Sequence, residues 1–228
     1  MFARPIASLM VLPEVVTLSK HSSLSFHLLE YTMTSNPLFV GALTLCALFS
    51  LSSPAFAQSK AWLDKGNISV KTYKVAKSDT PKVIVKAVVD SPPAKVWKVV
   101  SDCARYKKTM DRVSKSKLLK KSGNTYVCEV EIDLPFPLSD LTARTRGTHT
   151  VTPQKMTRSW KLIKGDFRVN TGSWVVEPFD ESGTRSLVTY TVHAEPTTSV
   201  PDWVKKKARD SSMPKLIKRL RKEAKKVR

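Results

Sequence analysis

Val89–Met110 reads VDSPPAKVWKVVSDCARYKKTM, and its spacing organises the whole chain. Ser91 is a capping residue, and Pro92 and Pro93 suit a first helical turn, where a missing N–H costs nothing. Val96, Val99/Val100, Cys103 and Tyr106 then recur at helical spacing. The stretch therefore predicts a helix, or two short ones, with one apolar side against a core. Upstream, ISVKTYKV (68–75) and KVIVKAVVD (82–90) alternate and are rich in β-branched residues, so both read as strands.

Downstream the pattern changes period. VSKSKLLKKS and TYVCEVEIDL flank Gly123-Asn124, a hairpin signal. LTARTRGTHTV, MTRSWKLIK, GSWVVEPF and RSLVTYTVHAE follow as strands, the last two separated by the turn Asp180-Glu181-Ser182-Gly183. Alternation puts Tyr126, Cys128, Val130 and Ile132 inward and Glu129, Glu131 and Asp133 outward; Val188, Tyr190, Val192 and Ala194 form a second inward set. LTARTRGTHTV lacks a greasy face, offering Ala143, Thr145, Gly147 and His149 on one side and Arg144, Arg146 and Thr148 on the other. Two readings stand: an edge strand solvated on both sides, or a strand lining a cavity that must stay open.

The last segment, from Val200-Pro201-Asp202 to Arg228, carries an apolar stripe of helical period at Met213, Leu216/Ile217, Leu220, Ala224 and Val227. From Trp203 onward it holds twelve basic and two acidic residues. Pro214 removes a helical hydrogen bond and splits the helix in two, which suggests a hinge that lets one part move as a lid.

This order of elements, with strands, a helix, six antiparallel strands and a long C-terminal helix, is similar to the α+β helix-grip fold. VDSPPAKVWKVVSDCARYKKTM resembles the helix signature of the START-like (SRPBCC) superfamily, in particular its polyketide cyclase and coenzyme Q-binding branch. WKLIKGDFRVNTGSWVVEPFDESGTRSLVTYTVHAEPTTSVPDWV resembles that branch further along. It has a Trp-x-Leu strand, a Gly-x-Trp strand ending in Glu-Pro, a Gly-Thr turn, a Tyr-containing last strand and Val-Pro-x-Trp opening the final helix. The similarity covers residues 82–222. It implies a curved antiparallel sheet wrapped around the last helix, with a cavity between them for a hydrophobic molecule such as a lipid, quinone or polyketide.

The 228 residues carry 39 Lys+Arg against 19 Asp+Glu, a net charge of +20. None of that excess lies before Ala57, where two basic residues (Arg4, Lys20) balance two acidic ones (Glu14, Glu30). The apolar run LFVGALTLCALFSL is shorter than the ~20 residues a spanning helix needs. Ser-Ser-Pro and the small-residue site Ala55-Phe56-Ala57 follow it. Residues 1–57 are therefore expected to be a secretory signal region, cleaved before Gln58, with Met33 as a candidate true start. Residues 58–67 read as a loose polar linker and 68–228 as the START-like domain. Export to a periplasmic or extracellular space follows, and with it an oxidising environment. There Cys103 and Cys128, both on inward faces, form either a disulfide or two buried thiols.

Catalytic signatures are sparse. There is no G-x-S-x-G motif and no C-x-x-C or H-x-x-x-H spacing, so neither a nucleophile, a metal nor a cofactor is expected. Arg144, Arg146 and Arg158 fall on neighbouring strands; on a basic protein the ordinary expectation is that they face outward, and one facing inward would hold an anionic head or polarise a carbonyl. The candidate cavity lining is Tyr126, Val130, Ile132, His149, Trp160, Trp174, Tyr190, Val192, Trp203, Leu216 and Leu220, with Trp160 and Trp174 resting as much on the family resemblance as on alternation. The expected partner is a hydrophobic small molecule or lipid, with an anionic membrane surface as a second. Export and the lack of aromatic–basic stacking motifs exclude nucleic acid. A monomer is expected. The alternatives are a cyclase- or dehydratase-like enzyme using Tyr190, His149 or an inward arginine, and a peripheral membrane-binding protein without cargo.

Overall fold

The computed structural model describes residues 60–228; the signal region and the candidate start at Met33 lie outside them. Eight antiparallel strands form one sheet in the order β1-β2-β8-β7-β6-β5-β4-β3. They are β1 (Ile68–Tyr73), β2 (Lys82–Val89), β3 (Val113–Ser122), β4 (Thr125–Ile132), β5 (Leu141–Val151), β6 (Met156–Gly165), β7 (Phe167–Pro178) and β8 (Ser186–Pro196). Between β2 and β3 lie helix α1 (Pro93–Ser101), a 3-10 turn (Cys103–Arg105) and the single-turn helix α2 (Tyr106–Thr109). After β8 come α3 (Asp202–Lys207), a π-helical turn (Ala208–Ser212) and α4 (Met213–Lys226). This is the α+β helix-grip architecture.

The register explains how the sheet gains a filled end and an open end. Across five strands, His149, Arg158, Trp174, Tyr190 and Val85 are consecutive partners, so their side chains form one row on the inner face. On one side of this row, Val89, Val176 and Val188 pack with Val96 and Val100 of α1 and with Ile217, Leu220 and Ala224 of α4 into a closed core. On the other side no helix fills the trough, and α3, the π turn and the start of α4 roof it. The outward face is polar and ion-paired: Glu129 meets Arg144 across strands at 2.7 Å, and Glu131 meets Lys115 at 3.0 Å.

Three expectations are corrected. β5 is no edge strand, since β4 and β6 flank it; its buried Ala143, Thr145 and His149 alternate with more exposed residues, as an inner-face strand requires. β7 begins five residues before Gly172, because Gly165, with φ of 137°, turns the chain sharply and Asp166 ties back to Thr142. Residues 60–66 are no loose linker. They include a short helix whose Leu63 is buried with Val88 and Phe179 on the outer face. Asp64 pairs with Arg185 at 2.6 Å, and Gly66 O accepts from Arg221 Nη1 at 3.0 Å.

Pro214 sits in the first turn of α4. Its ring would clash with the carbonyl four residues back in a continuous α-helix. The preceding turn is widened instead, and Met213 N–H donates to Ala208 O, a five-residue step. The two helices predicted from this proline are therefore joined by a π bulge rather than by a break.

Candidate functional site

The open end of the trough is a cavity of about 800 Å³, well within the size range of small-molecule sites. Small side chains on β5 create it: Ala143 and Thr145 face inward where a leucine or phenylalanine would fill the space. Its wall is aromatic. Trp174 lies 4.3 Å and Trp160 6.0 Å from the ring of Tyr190, separations typical of aromatic packing. Trp160 is held by its indole N–H, which donates to Asn170 Oδ1 at 3.0 Å. It lies flat over Gly172, where a Cβ would come within 2.4 Å of the indole and 2.3 Å of Thr191 O. Glycine is required there because the ring occupies the place of a side chain.

Of the eleven residues expected to line the cavity, Val130, Ile132, Trp160, Trp174, Tyr190, Val192, Trp203 and Leu216 are on its wall. Tyr126, His149 and Leu220 are not. Tyr126 and His149 stack on each other at 3.9 Å, with Trp97 of α1 edge-on to the histidine at 5.1 Å, where His149 ends the Arg158 row on β5, outside the cavity. Leu220 lies one turn beyond Leu216, fully enclosed where α4 packs on α1. Period-two and helical patterns assign the face correctly in each case, yet they carry no information about where along that face the filling stops.

At the inner end of the cavity lies Arg158, only 3 % exposed. Its strand neighbours explain the direction: Arg158 shares parity with Trp160, so the outward expectation for this arginine is wrong, whereas Arg144 does face out to Glu129. Arg158 Nη1 donates to Val100 O at 3.3 Å and to the Tyr106 hydroxyl; Nη2 donates to Cys128 Sγ at 3.4 Å. Nε has no partner. Among the described residues no carboxylate pairs with this guanidinium. Tyr106 completes the corner by donating to Val100 O.

The neighbours register the charge. His149 is held down to about 4, first by burial and then by the positive charges of Arg158 and Lys121. Burial pushes the Tyr106 and Tyr190 hydroxyls up, and Arg158 partly opposes the rise in both. Cys103 and Cys128 are joined as a disulfide beside this corner, fastening the 3-10 turn to β4. Tyr106, Thr145 and Met213 also line the cavity and were not anticipated, because core and cavity wall share one sequence signature.

The mouth lies at the opposite end. Leu134, Pro135, Val200 and Trp203 rim it together with Lys205, Lys206, Lys207 and Arg209. Trp203 is 51 % exposed, and Phe136, in the same loop as Leu134, is 93 % exposed.

The family described as polyketide cyclase/dehydrase and lipid transport matches residues 89–221, from the end of β2 through most of α4. This chain belongs to that family. Among solved structures it is similar to a STAR-related lipid transfer protein from Xanthomonas axonopodis, with a TM-score of 0.61 and 21% identity over 69% of this chain and 93% of that one. It is also similar to human STARD10 (TM-score 0.60, 18% identity, 70% and 69% covered). Human StAR-related lipid transfer protein 5 gives 0.60 at 13% identity, with 75% and 96% covered. At these identities the likeness establishes the START-like fold, not a cargo. No curated protein matches the sequence.

Proposed function

We propose that this member of the polyketide cyclase/dehydrase and lipid transport family is an exported carrier of a hydrophobic small molecule, held between the sheet and the C-terminal helix. The observation that carries the reading is the cavity of about 800 Å³ walled by Trp160, Trp174, Tyr190, Val130, Val192 and Leu216. A void of this size, walled by large apolar side chains, is costly for a protein that only needs a core. Export is supported by the composition shift at Ala57 and by the apolar run before it. Organic extraction of the protein, purified without detergent, should release a stoichiometric lipid, quinone or polyketide-like molecule detectable by mass spectrometry. A clean extract, together with failure to take up any apolar fluorescent probe, would sink the carrier reading.

A second reading concerns delivery. Trp203 and Phe136 project at the mouth beside Lys205, Lys206 and Lys207, an aromatic and cationic combination suited to the headgroup region of an anionic bilayer. Docking there would place the cavity entrance against the lipid. The protein should co-sediment with vesicles containing phosphatidylglycerol, and binding should weaken with salt; equal retention by neutral vesicles at high salt would argue against it. An enzymatic role, which the family's description also covers, would draw on Arg158 and Tyr190 rather than on His149, which lies away from the cavity.

A further inference from the structure

Arg158 poses a question that carriage of a purely apolar molecule does not answer. A guanidinium keeps its charge in proteins, and burying one without a counter-ion is among the least favourable arrangements a core can contain. Here its hydrogen bonds go only to neutral acceptors, a backbone carbonyl, a phenol and a disulfide sulfur. The Nε–H and one Nη2 hydrogen are left over. The paired carboxylates nearby are engaged elsewhere: Glu177 with Lys155 on the adjacent β7, and Glu129 with Arg144, Glu131 with Lys115 and Asp133 with Arg112 further off. Asp111, whose buried Oδ2 has no partner, also lines the cavity but forms no ion pair with Arg158. Replacing the arginine by an apolar residue of similar length would relieve the burial, so its presence at the inner end of a cavity points to a counter-charge that arrives with the ligand.

We infer that the cavity takes an amphiphile with a carboxylate head, of the long-chain fatty acid class, bound head-first. The carboxylate neutralises Arg158, and the chain runs outward between the Trp160–Tyr190 wall and α4 toward the mouth at Trp203. The hydroxyls of Tyr190 and Thr145 line the same end of the cavity and make no hydrogen bond to another described residue, which leaves them available to the head group. Two hydroxyls and one guanidinium, with only its Nε–H and one Nη2 hydrogen free, suit the two oxygens of a carboxylate better than the larger acceptor set of a phosphate. The entry direction also follows: an inner end that is charged and a mouth ringed with apolar residues and lysines favour a head that goes in first.

This inference rests on the carrier reading and is separable from it. Binding of palmitate and of hexadecanol, which share a chain and differ in the head, is measured by displacement of an apolar fluorophore from the full protein. Palmitate should bind about thirtyfold tighter or more, the scale of a buried, hydrogen-bonded charge pair. In Arg158→Gln the preference should vanish while hexadecanol still binds. An independent readout needs no variant: the His149 ring titration, followed by NMR, should move up from about 4 on adding palmitate, because a bound anion cancels the Arg158 charge that helps hold it down. Hexadecanol should leave it in place. Equal binding of the two, or an unmoved His149, would overturn the carboxylate assignment and leave the carrier reading intact. Binding of neither them nor the fluorophore would overturn both.

Discussion

At the scale of single residues, the inner face is read best through three side chains. His149 is 7 % exposed, its Nε2 is unpartnered, and its titration is depressed from 6.5 to about 4. The unfolded chain therefore binds a proton between those values that the folded chain refuses, and folding stability falls as pH drops from 6.5 toward 4. His149→Phe should flatten this part of a stability–pH curve measured by urea unfolding; an unchanged slope would assign it to other groups. Gly172→Ala places a methyl inside the Trp160 indole and against a backbone oxygen. A loss of about 1–3 kcal/mol is expected, as for overpacked cores, with a shifted tryptophan emission as the local sign. Arg158 shows what sequence does and does not disclose. Its spacing of two from Trp160 argues for the inner face, the general rule that arginines face water on a basic protein argues for the outer one, and its burial decides for the inner.

Secondary-structure elements were the most legible level. Alternation on TYVCEVEIDL and RSLVTYTVHA and the helical spacing of Val96 and Val99/Val100, continued by Cys103, correspond to β4, β8 and α1 with the 3-10 turn after it, because burial on one face leaves a strict period. What escaped was whatever depends on neighbours distant in sequence. The interior position of β5 and the packed strap at residues 60–66 are examples, the strap being fixed by Phe179 and Arg185, more than a hundred residues away. The disulfide closes a loop of 25 residues in sequence separation. Cys103→Ser with Cys128→Ser should cost about 3 kcal/mol by restoring freedom to the unfolded chain, seen as a lower urea midpoint. The π bulge belongs to this scale too. Pro214→Ala removes the steric reason for the wide turn, so Ala208–Ser212 should tighten toward α-helix and the roof of the cavity should shift. Stopped-flow ligand exchange should change in rate; identical kinetics would mean that the roof does not gate the cavity.

For the molecule as a whole, charge and shape divide the labour. The sheet and α4 enclose a cavity whose wall is mostly apolar, while the +20 net charge is carried on the outside, much of it on α3 and α4. Substituting Lys205, Lys206 and Lys207 together by Gln should weaken vesicle binding by roughly tenfold or more, at about 1 kcal/mol per cation near an anionic surface. Ligand affinity in solution should fall far less than vesicle binding, which separates docking from carriage. One further consequence lies in the free edge of the sheet. β3 ends the strand order with lysines at 115, 117, 120 and 121, and its pairing with β4 is interrupted by irregularities at Val113/Lys115 and Leu118/Lys120. A like-charged, irregular border is a poor template for another copy's strand. Such a border should oppose edge-to-edge association of an open eight-stranded sheet with exposed Leu118 and Leu119. Neutralising those four lysines should appear first as turbidity on storage, before any loss of folded signal.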